Sequence, residues 1–174
     1  MENTAIRNPQ KTSSNQPDNQ TVLAIRNLTI SYQAKRGWVQ AVRGVTLDVR
    51  RGEALALIGE SGSGKTTMGL GVVRLLPSNA KVREGSIQYF PRDKSGNWEK
   101  SLDVLALNPR GLRQYRWKDC AMVFQAALNA FNPVLRISEQ FADTARAHGF
   151  LQGNELKERA RHLLTRLGMA DRLG

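Results

Sequence analysis

The segment Gly59-Glu60-Ser61-Gly62-Ser63-Gly64-Lys65-Thr66 fits the pattern G-x-x-x-x-G-K-[ST] at every fixed position. Its glycines allow the backbone to curl with several N–H groups pointing inward, which forms a concave nest for a polyanion. Lys65 opens a helix, so that its ammonium and the helix N-terminus face the same anion. The spacing therefore predicts a phosphate-binding loop.

The residues on either side of this loop supply the context that the pattern requires. Residues 54–58 are a continuous apolar run that ends at a glycine, which is typical of a strand buried on both faces of a parallel sheet. A helix is expected from residue 65 to residue 76, stopped by Pro77. The hydroxyl of Thr66 is the kind of oxygen ligand that a phosphate-bound Mg²⁺ takes. The predicted nucleotide-binding residues in this region are Gly59, Glu60, Ser61, Gly62, Ser63, Gly64, Lys65, Thr66 and Thr67.

Other elements follow from hydrophobic periodicity. Residues 45–50 alternate between apolar and polar side chains, which indicates a half-exposed antiparallel strand. Further strands are predicted at residues 22–25, 28–32, 86–90, 101–105 and 121–124, the third and fourth of them flanking a polar turn at residues 91–97. One helix is expected to be capped by Ser138 and to end at Gly149. Another is expected from Asn154, with a stripe formed by Leu156, Ala160, Leu163, Leu164 and Leu167 before Gly168.

Composition sets the class of protein. The chain has 174 residues, 40% of them hydrophobic, and a formal net charge of +11. Its basic residues are scattered singly or in pairs, which favours a solvated, mildly basic surface over a nucleic-acid interface. No apolar run reaches the ~18 residues of a membrane helix, and a single cysteine fits a reducing, cytoplasmic compartment. Residues 1–20 are polar and are expected to form a disordered tail.

A second group of motifs narrows the class further. Phe124-Gln125 leads into residues 126–135, Ala-Ala-Leu-Asn-Ala-Phe-Asn-Pro-Val-Leu. Together with the phosphate loop, this stretch resembles the ATP-binding subunit of an ABC transporter, in the group that imports oligopeptides, dipeptides, glutathione and nickel. The resemblance covers residues 22–171, with the motifs in the family's order. It implies an α/β fold with a P-loop (RecA-like) core, an N-terminal antiparallel β subdomain at the start of residues 21–174, and an incomplete C-terminus.

The resemblance also implies site residues and partners. Tyr32 matches the aromatic residue that stacks on adenine, with Trp38 as a weaker candidate, and Gln125 matches the glutamine that reaches Mg²⁺. The segment after Gln125 matches the contact with a membrane permease, although Ala126-Ala127 depart from the family's usual residues there. The implied assembly pairs two nucleotide-binding domains and lies on the cytoplasmic face of the inner membrane.

ATP hydrolysis requires carboxylates and donors to the γ-phosphate in addition to a phosphate loop. Asp48, Asp103 and Asp119 are the aspartates near apolar segments, and none ends a strand-like run followed by glutamate. His148 and His162 have the sequence surroundings of helix-boundary or surface residues, and no Leu-Ser-Gly-Gly-Gln signature occurs. In the family's order these parts come after the stretch that residues 168–174 resemble. We therefore expect a truncated chain with no catalytic residues of its own, which does not hydrolyse ATP by itself.

Two other function classes remain open on the residues alone. The chain could serve as a non-hydrolysing fragment or nucleotide-binding module, in which an open sheet edge beside the loop promotes aggregation. It could also be another P-loop enzyme, such as a small-molecule kinase, which would need an acceptor-site base that the sequence does not reveal.

Overall fold

The computed structural model describes residues 20–93, 95–124, 131–149 and 152–169, and the chain divides into two compact units, Met1–Ala106 and Leu107–Gly174. The expected tail lies outside these residues except for Gln20, whose carbonyl accepts a hydrogen bond of 2.9 Å from the Arg51 N–H. The elements of the first unit are β1 (Thr21–Ala34), β2 (Gly37–Arg50), α1 (Lys65–Val72), β3 (Ala80–Tyr89), β4 (Leu102–Asp103) and a 3₁₀ turn (Val104–Ala106).

The first unit is built on an antiparallel sheet with the strand order β2-β1-β3-β4. β1 is the long central strand, and Ile25, Leu28 and Ile30 within it are almost completely buried. It joins the two strands predicted at residues 22–25 and 28–32 into one, with register shifts between them. The alternation predicted for residues 45–50 is confirmed in β2, where Val45, Leu47 and Val49 are half-buried between exposed neighbours. The predicted N-terminal antiparallel subdomain is therefore confirmed.

Helix α1 packs against this sheet and is shorter than predicted. It begins at Lys65 as expected but ends at Val72 rather than residue 76. Met68 and Gly71 are its buried residues, and a Cβ added at Gly71 would lie 2.7 Å from Ile30 Cδ1. The helix therefore approaches β1 closely on a face without side-chain bulk, and packing offsets the low helix propensity of glycine.

The two predicted buried strands, residues 54–58 and 121–124, are corrected by the structure. Neither belongs to the sheet, and Ile58 and Val123 are 96% and 93% exposed. A continuous apolar run indicates that a segment is suited to burial, but a strand forms only when neighbouring strands satisfy its N–H and C=O groups. No strand in the described part of the chain pairs with either segment.

The region after β3 also contains less regular structure than predicted. The expected strand at residues 101–105 is reduced to β4, because the chain turns into the 3₁₀ helix at Val104. The polar turn at residues 91–97 is confirmed: the Asp93 N–H donates to the Asn97 carbonyl at 2.9 Å, and the Gly96 N–H donates to the Asp93 carbonyl at 3.0 Å.

The second unit is helical. It contains α2 (Pro109–Gln114), a kinked turn (Tyr115–Asp119), α3 (Ile137–His148) and α4 (Gly153–Arg166). Ser138 does not cap α3; Arg136 precedes the helix, and the Glu139 carboxylate accepts the Arg136 N–H at 3.0 Å. Ala160 and Leu164 of the predicted α4 stripe are buried, but Leu167 is 68% exposed because it lies just beyond the helix end.

Among the described residues, none of the helices combines the length and apolar character that crossing a membrane would need.

Candidate nucleotide-binding site

The phosphate loop, residues 59–66, enters α1 through Gly64, which occupies the N-cap position with φ of 90°. Glycine offers no capping side chain, so the first-turn N–H groups of the helix are left for other acceptors. Gly62 also has a positive φ, 80°, and the Ser63 N–H donates to the Glu60 carbonyl at 3.2 Å. The loop therefore has the curled backbone that an anion nest requires.

Gly64 is held tightly between the loop and the sheet. A Cβ at this position would lie 2.3 Å from the carbonyl oxygen of Ala41 in β2. Real Cβ atoms do not approach a backbone oxygen so closely, so glycine is required here by both the positive φ and the space. Contact with β2 therefore fixes the point where the loop becomes a helix.

The Lys65 side chain folds back over the loop. Its Nζ donates to the Gly59 carbonyl at 2.7 Å, the Glu60 carbonyl at 2.8 Å and Ser63 Oγ at 3.2 Å. These bonds hold the ammonium beside the curled backbone, at the start of a helix whose dipole also favours an anion. The structure thus brings together the loop backbone, a cation and a helix N-terminus, the combination that phosphate groups bind.

Tyr32 lies beside the same helix. It is half-buried near the end of β1, and its hydroxyl is 3.2 Å from Oγ1 of Thr67, in the first turn of α1. The sequence pattern placed Thr67 in the loop region and the family resemblance suggested Tyr32, but only the fold shows that they touch.

The residues expected to hold Mg²⁺ are described only in part. Thr66 is exposed on the first turn of α1, where its hydroxyl oxygen suits a hard cation. Gln125 and residues 126–130 lie outside the described residues. The described chain contains no group of three or more His, Cys, Asp and Glu side chains that could hold a metal ion. The donor set fits a cation that phosphate oxygens also coordinate, since Mg²⁺ commonly binds proteins through few side chains.

The sequence did not predict which residues of β2 would lie beside the loop. A cleft of about 660 Å³ lies between part of the loop and β2 and is lined by Gln40, Ala41 and Arg43 of β2 and by Lys65. Arg43 lines this cleft and also a neighbouring one, which Thr29 and Ser31 line as well. No local signal could have identified it, because a residue in the middle of a strand reaches the loop only through tertiary packing.

Other candidate side chains have different surroundings. The Trp38 ring is covered by the Arg83 guanidinium, whose carbon is 4.9 Å from the ring centroid, a cation–π geometry. His162 is exposed on α4, as predicted, and His148 lies at the end of α3 with its ring 5.6 Å from that of Trp117.

The helical unit carries a separate apolar groove between α3 and α4, of about 1060 Å³. Trp117, Phe131 and Phe141 contribute aromatic surface to it, while Glu155 and Arg159 lie among its lining residues. Trp117 and Phe131 are each 59% exposed, which is unusual for large aromatic side chains and typical of a contact surface.

Comparison with known proteins gives a consistent result. Residues 42–173 match the family model described as ABC transporter. The chain is 36% identical over 150 residues to a Brucella abortus protein provisionally named a peptide import ATP-binding protein. It is 32% identical over 151 residues to the dipeptide transport ATP-binding protein DppD of Bacillus subtilis. Each alignment covers 86% of this chain, which spans 42% of the length of these relatives.

Three further matches extend the comparison. The glutathione import ATP-binding protein GsiA of Salmonella typhimurium is 34% identical over 152 residues, which is 87% of this chain and 24% of that protein. Among solved structures, a dimeric bacterial ABC transporter cassette aligns with a TM-score of 0.62 at 22% identity, over 87% of this chain and 59% of the cassette. A structure of an ATP-binding cassette bound to ADP and Pi aligns with a TM-score of 0.61 at 23% identity, with the same coverage of both chains. The predicted α/β cassette fold is confirmed.

Proposed function

Because the chain belongs to the ABC transporter family, we propose that it is the ATP-binding part of an importer for peptides or related small solutes. The observation that carries this proposal is the Lys65 ammonium held over the curled loop by the Gly59 and Glu60 carbonyls. The relatives named above supply the solute class, since they are named for peptide, dipeptide and glutathione import.

The phosphates of ATP would bind in the loop, residues 59–67. Loop N–H groups and the N-terminus of α1 would donate to the phosphate oxygens, and Lys65 would exchange part of its bonding to loop carbonyls for bonds to phosphate. The Tyr32 ring, next to the first turn of α1, would receive the adenine.

Mg²⁺ would accompany the phosphates. Thr66 is the described residue that would ligate it, and Gln125 is proposed as the second protein contact. When bound, the ion would neutralise developing charge on the phosphate oxygens. Thr66 contributes one hydroxyl oxygen, while Lys65 and the loop N–H groups bind and orient the triphosphate.

The partners we propose are a membrane permease and a second nucleotide-binding domain. Phe131, Val134 and Leu135 lie within the segment after Gln125 and are exposed, with Val134 exposed by 88%, which supports a protein contact there. The dimeric solved cassette supports pairing of two domains. We propose that residues 21–174 form the N-terminal part of a nucleotide-binding domain, preceded by a polar tail, on the cytoplasmic face of the inner membrane.

The test is nucleotide-dependent stability of the full chain. ATP with Mg²⁺ at 100 times its Kd should raise the unfolding free energy by about 2.7 kcal/mol, measured by urea denaturation. Lys65→Met should abolish this increase, because the variant lacks the ammonium that the phosphates bind. Lys81→Met is the matched control, since Lys81 is exposed on β3 and does not line the cleft. The proposal is wrong if ATP does not stabilise the parent chain, or stabilises the Lys65→Met variant equally.

A further inference from the structure

The hydroxyl pair formed by Tyr32 and Thr67 joins the two ends of the proposed nucleotide site. We propose that Thr67 is a positioning residue for the Tyr32 ring, and that the bond between their hydroxyls presets the surface on which the base of the nucleotide stacks. This inference rests on the proposed function, because it assigns a task within the same site.

The backbone of Tyr32 is already fixed by the sheet. It pairs with Val39 of β2 on one side and with Ala80 of β3 on the other, so it lies in the interior of the ladder. Only rotation of the side chain remains free. A bond to its hydroxyl, at the far end of the ring, removes most of that freedom before any ligand arrives.

Thr67 is suited to hold the ring. It is β-branched and lies in a helix, so its own rotamers are restricted. Helical threonines often return their hydroxyl to a carbonyl of the preceding turn, as Thr144 does to Gln140 at 3.1 Å and Thr165 to Arg161 at 2.9 Å. The bond formed by Thr67 crosses instead to a strand, at 3.2 Å, and so connects α1 with β1.

The direction of this bond couples it to phosphate binding. A threonine hydroxyl has one proton and two acceptor lone pairs, and a tyrosine hydroxyl can donate. When Tyr32 donates to Thr67, the Thr67 proton remains available for an anionic oxygen at the N-terminus of α1. A phosphate there selects this direction and polarises the chain from Tyr32 through Thr67 to the ligand. Phosphate binding and ring placement therefore reinforce each other.

Binding of two ligands to the full chain tests the inference. ATP carries both base and phosphates, whereas inorganic tripolyphosphate carries the phosphates alone. Tyr32→Phe keeps the stacking ring but removes the hydroxyl. It should weaken ATP binding about three- to tenfold, the value of one hydrogen bond, and change tripolyphosphate affinity less than about twofold. The ratio of the two affinities within one variant does not depend on the folded fraction, so partial unfolding does not affect this readout.

Further variants identify Thr67 as the partner. Thr67→Val should weaken both ligands, and in that background Tyr32→Phe should have no further effect on ATP. Thr67→Ser should recover the affinity that Thr67→Val loses, because it restores the hydroxyl. Tyr89→Phe is the matched control, since Tyr89 lies on β3 and lines neither the cleft nor the loop; it should alter neither affinity.

The results that would overturn the inference differ from failure of the proposed function. If Tyr32→Phe binds ATP as tightly as the parent chain, or weakens both ligands equally, the positioning role is wrong while nucleotide binding stands. If the two substitutions have additive effects on ATP binding, Thr67 is not the partner. A parent chain that binds neither ligand rejects the proposed function itself and the positioning role with it.

Discussion

At the scale of single residues, two glycines of the loop differ in why glycine is needed. One is required by both its backbone conformation and its surroundings, and the other by its conformation alone. Gly64 and Gly62 have similar positive φ values, 90° and 80°. They differ in surroundings: a Cβ at Gly64 would lie 2.3 Å from the Ala41 carbonyl oxygen, whereas no atom lies within 4 Å of a Cβ at Gly62. Conformational strain and steric overlap can therefore be separated within one loop.

Alanine substitutions at these two positions should differ in stability. Gly62→Ala should lower the unfolding free energy by about 1 kcal/mol, the cost of a positive φ for an ordinary residue. Gly64→Ala should lower it by roughly 3 kcal/mol, because the new Cβ also displaces the backbone of β2. Urea denaturation of both variants checks this difference. Equal losses would show that Ala41 moves without cost.

Asp93 gives a prediction for acid pH. The Asn97 side-chain amide donates to one oxygen of the Asp93 carboxylate at 3.1 Å, and the Asn97 backbone N–H donates to the other at 2.8 Å. These bonds hold the pKa of Asp93 below its ordinary value of 3.8. Because the folded-state pKa is lowered, the contribution of Asp93 to stability is present above pH 3.8 and is lost as the pH falls through the lower folded value.

An NMR titration of the Asp93 carboxyl group should therefore have a midpoint below 3.8. Asn97→Ala removes the amide donor and keeps the backbone N–H, so the midpoint should rise without fully reaching the ordinary value. A parent midpoint at or above 3.8 would contradict the hydrogen-bonded turn.

At the scale of elements, the kinked turn after α2 contains an unusual backbone conformation. Trp117 has φ of 75° and ψ of −45°, a region that bulky residues rarely occupy. Its N–H donates to the Cys120 carbonyl at 3.0 Å, and its side chain is 59% exposed within the apolar groove. The turn thus presents an aromatic side chain at the expense of backbone strain, as contact sites often do.

Because of this strain, a glycine variant at position 117 should be more stable than an alanine variant, the reverse of the usual order of stability. Trp117→Gly should be more stable than Trp117→Ala by about 1 kcal/mol, because both variants lose the ring and only glycine adopts the positive φ freely. At Arg113, an exposed position in α2, the ordinary order should hold, with alanine more stable by about 1 kcal/mol. Denaturant melts of the four variants test this, and the same order at both positions would contradict a strained Trp117.

Prediction of the elements succeeded where the pattern itself is local. The alternation at residues 45–50 is read directly from spacing and is confirmed. In the predicted α4 stripe, Ala160 and Leu164 are buried, whereas Leu167 is exposed. The predicted Ser138 cap of α3 is wrong because the helix begins one residue earlier, at Ile137, with Arg136 at the N-cap position and its N–H donated to the Glu139 carboxylate. Helix α1 ends before residue 76 because Arg74 has a positive φ of 52°, which a right-handed helix does not accommodate.

At the scale of the whole molecule, exposed apolar segments are the main departure from what the sequence predicted. Ile58 is 96% exposed although it ends the most apolar run in the chain, and Val123 is 93% exposed. Surfaces of this kind mark contact sites or promote association. The chain spans 42% of the length of its Brucella and Bacillus relatives.

Threonine substitutions at matched isoleucines test this exposure. Ile58→Thr should change the unfolding free energy by less than about 0.5 kcal/mol and reduce self-association measured by sedimentation velocity. Ile25→Thr, at a position 1% exposed in β1, should cost about 2–3 kcal/mol because it leaves a cavity and buries a hydroxyl. Comparable losses for the two variants would show that Ile58 is buried in solution.

The family of the chain follows from its sequence alone. Glycine spacing, one lysine and two threonines predict a phosphate nest, because backbone conformation and charge act over a few residues. Only the tertiary structure placed Ala41 against Gly64 and the Tyr32 hydroxyl on Thr67. It also left residues 54–58 outside the sheet. These outcomes depend on which distant segments supply hydrogen bonds and space, and no local pattern contains that information.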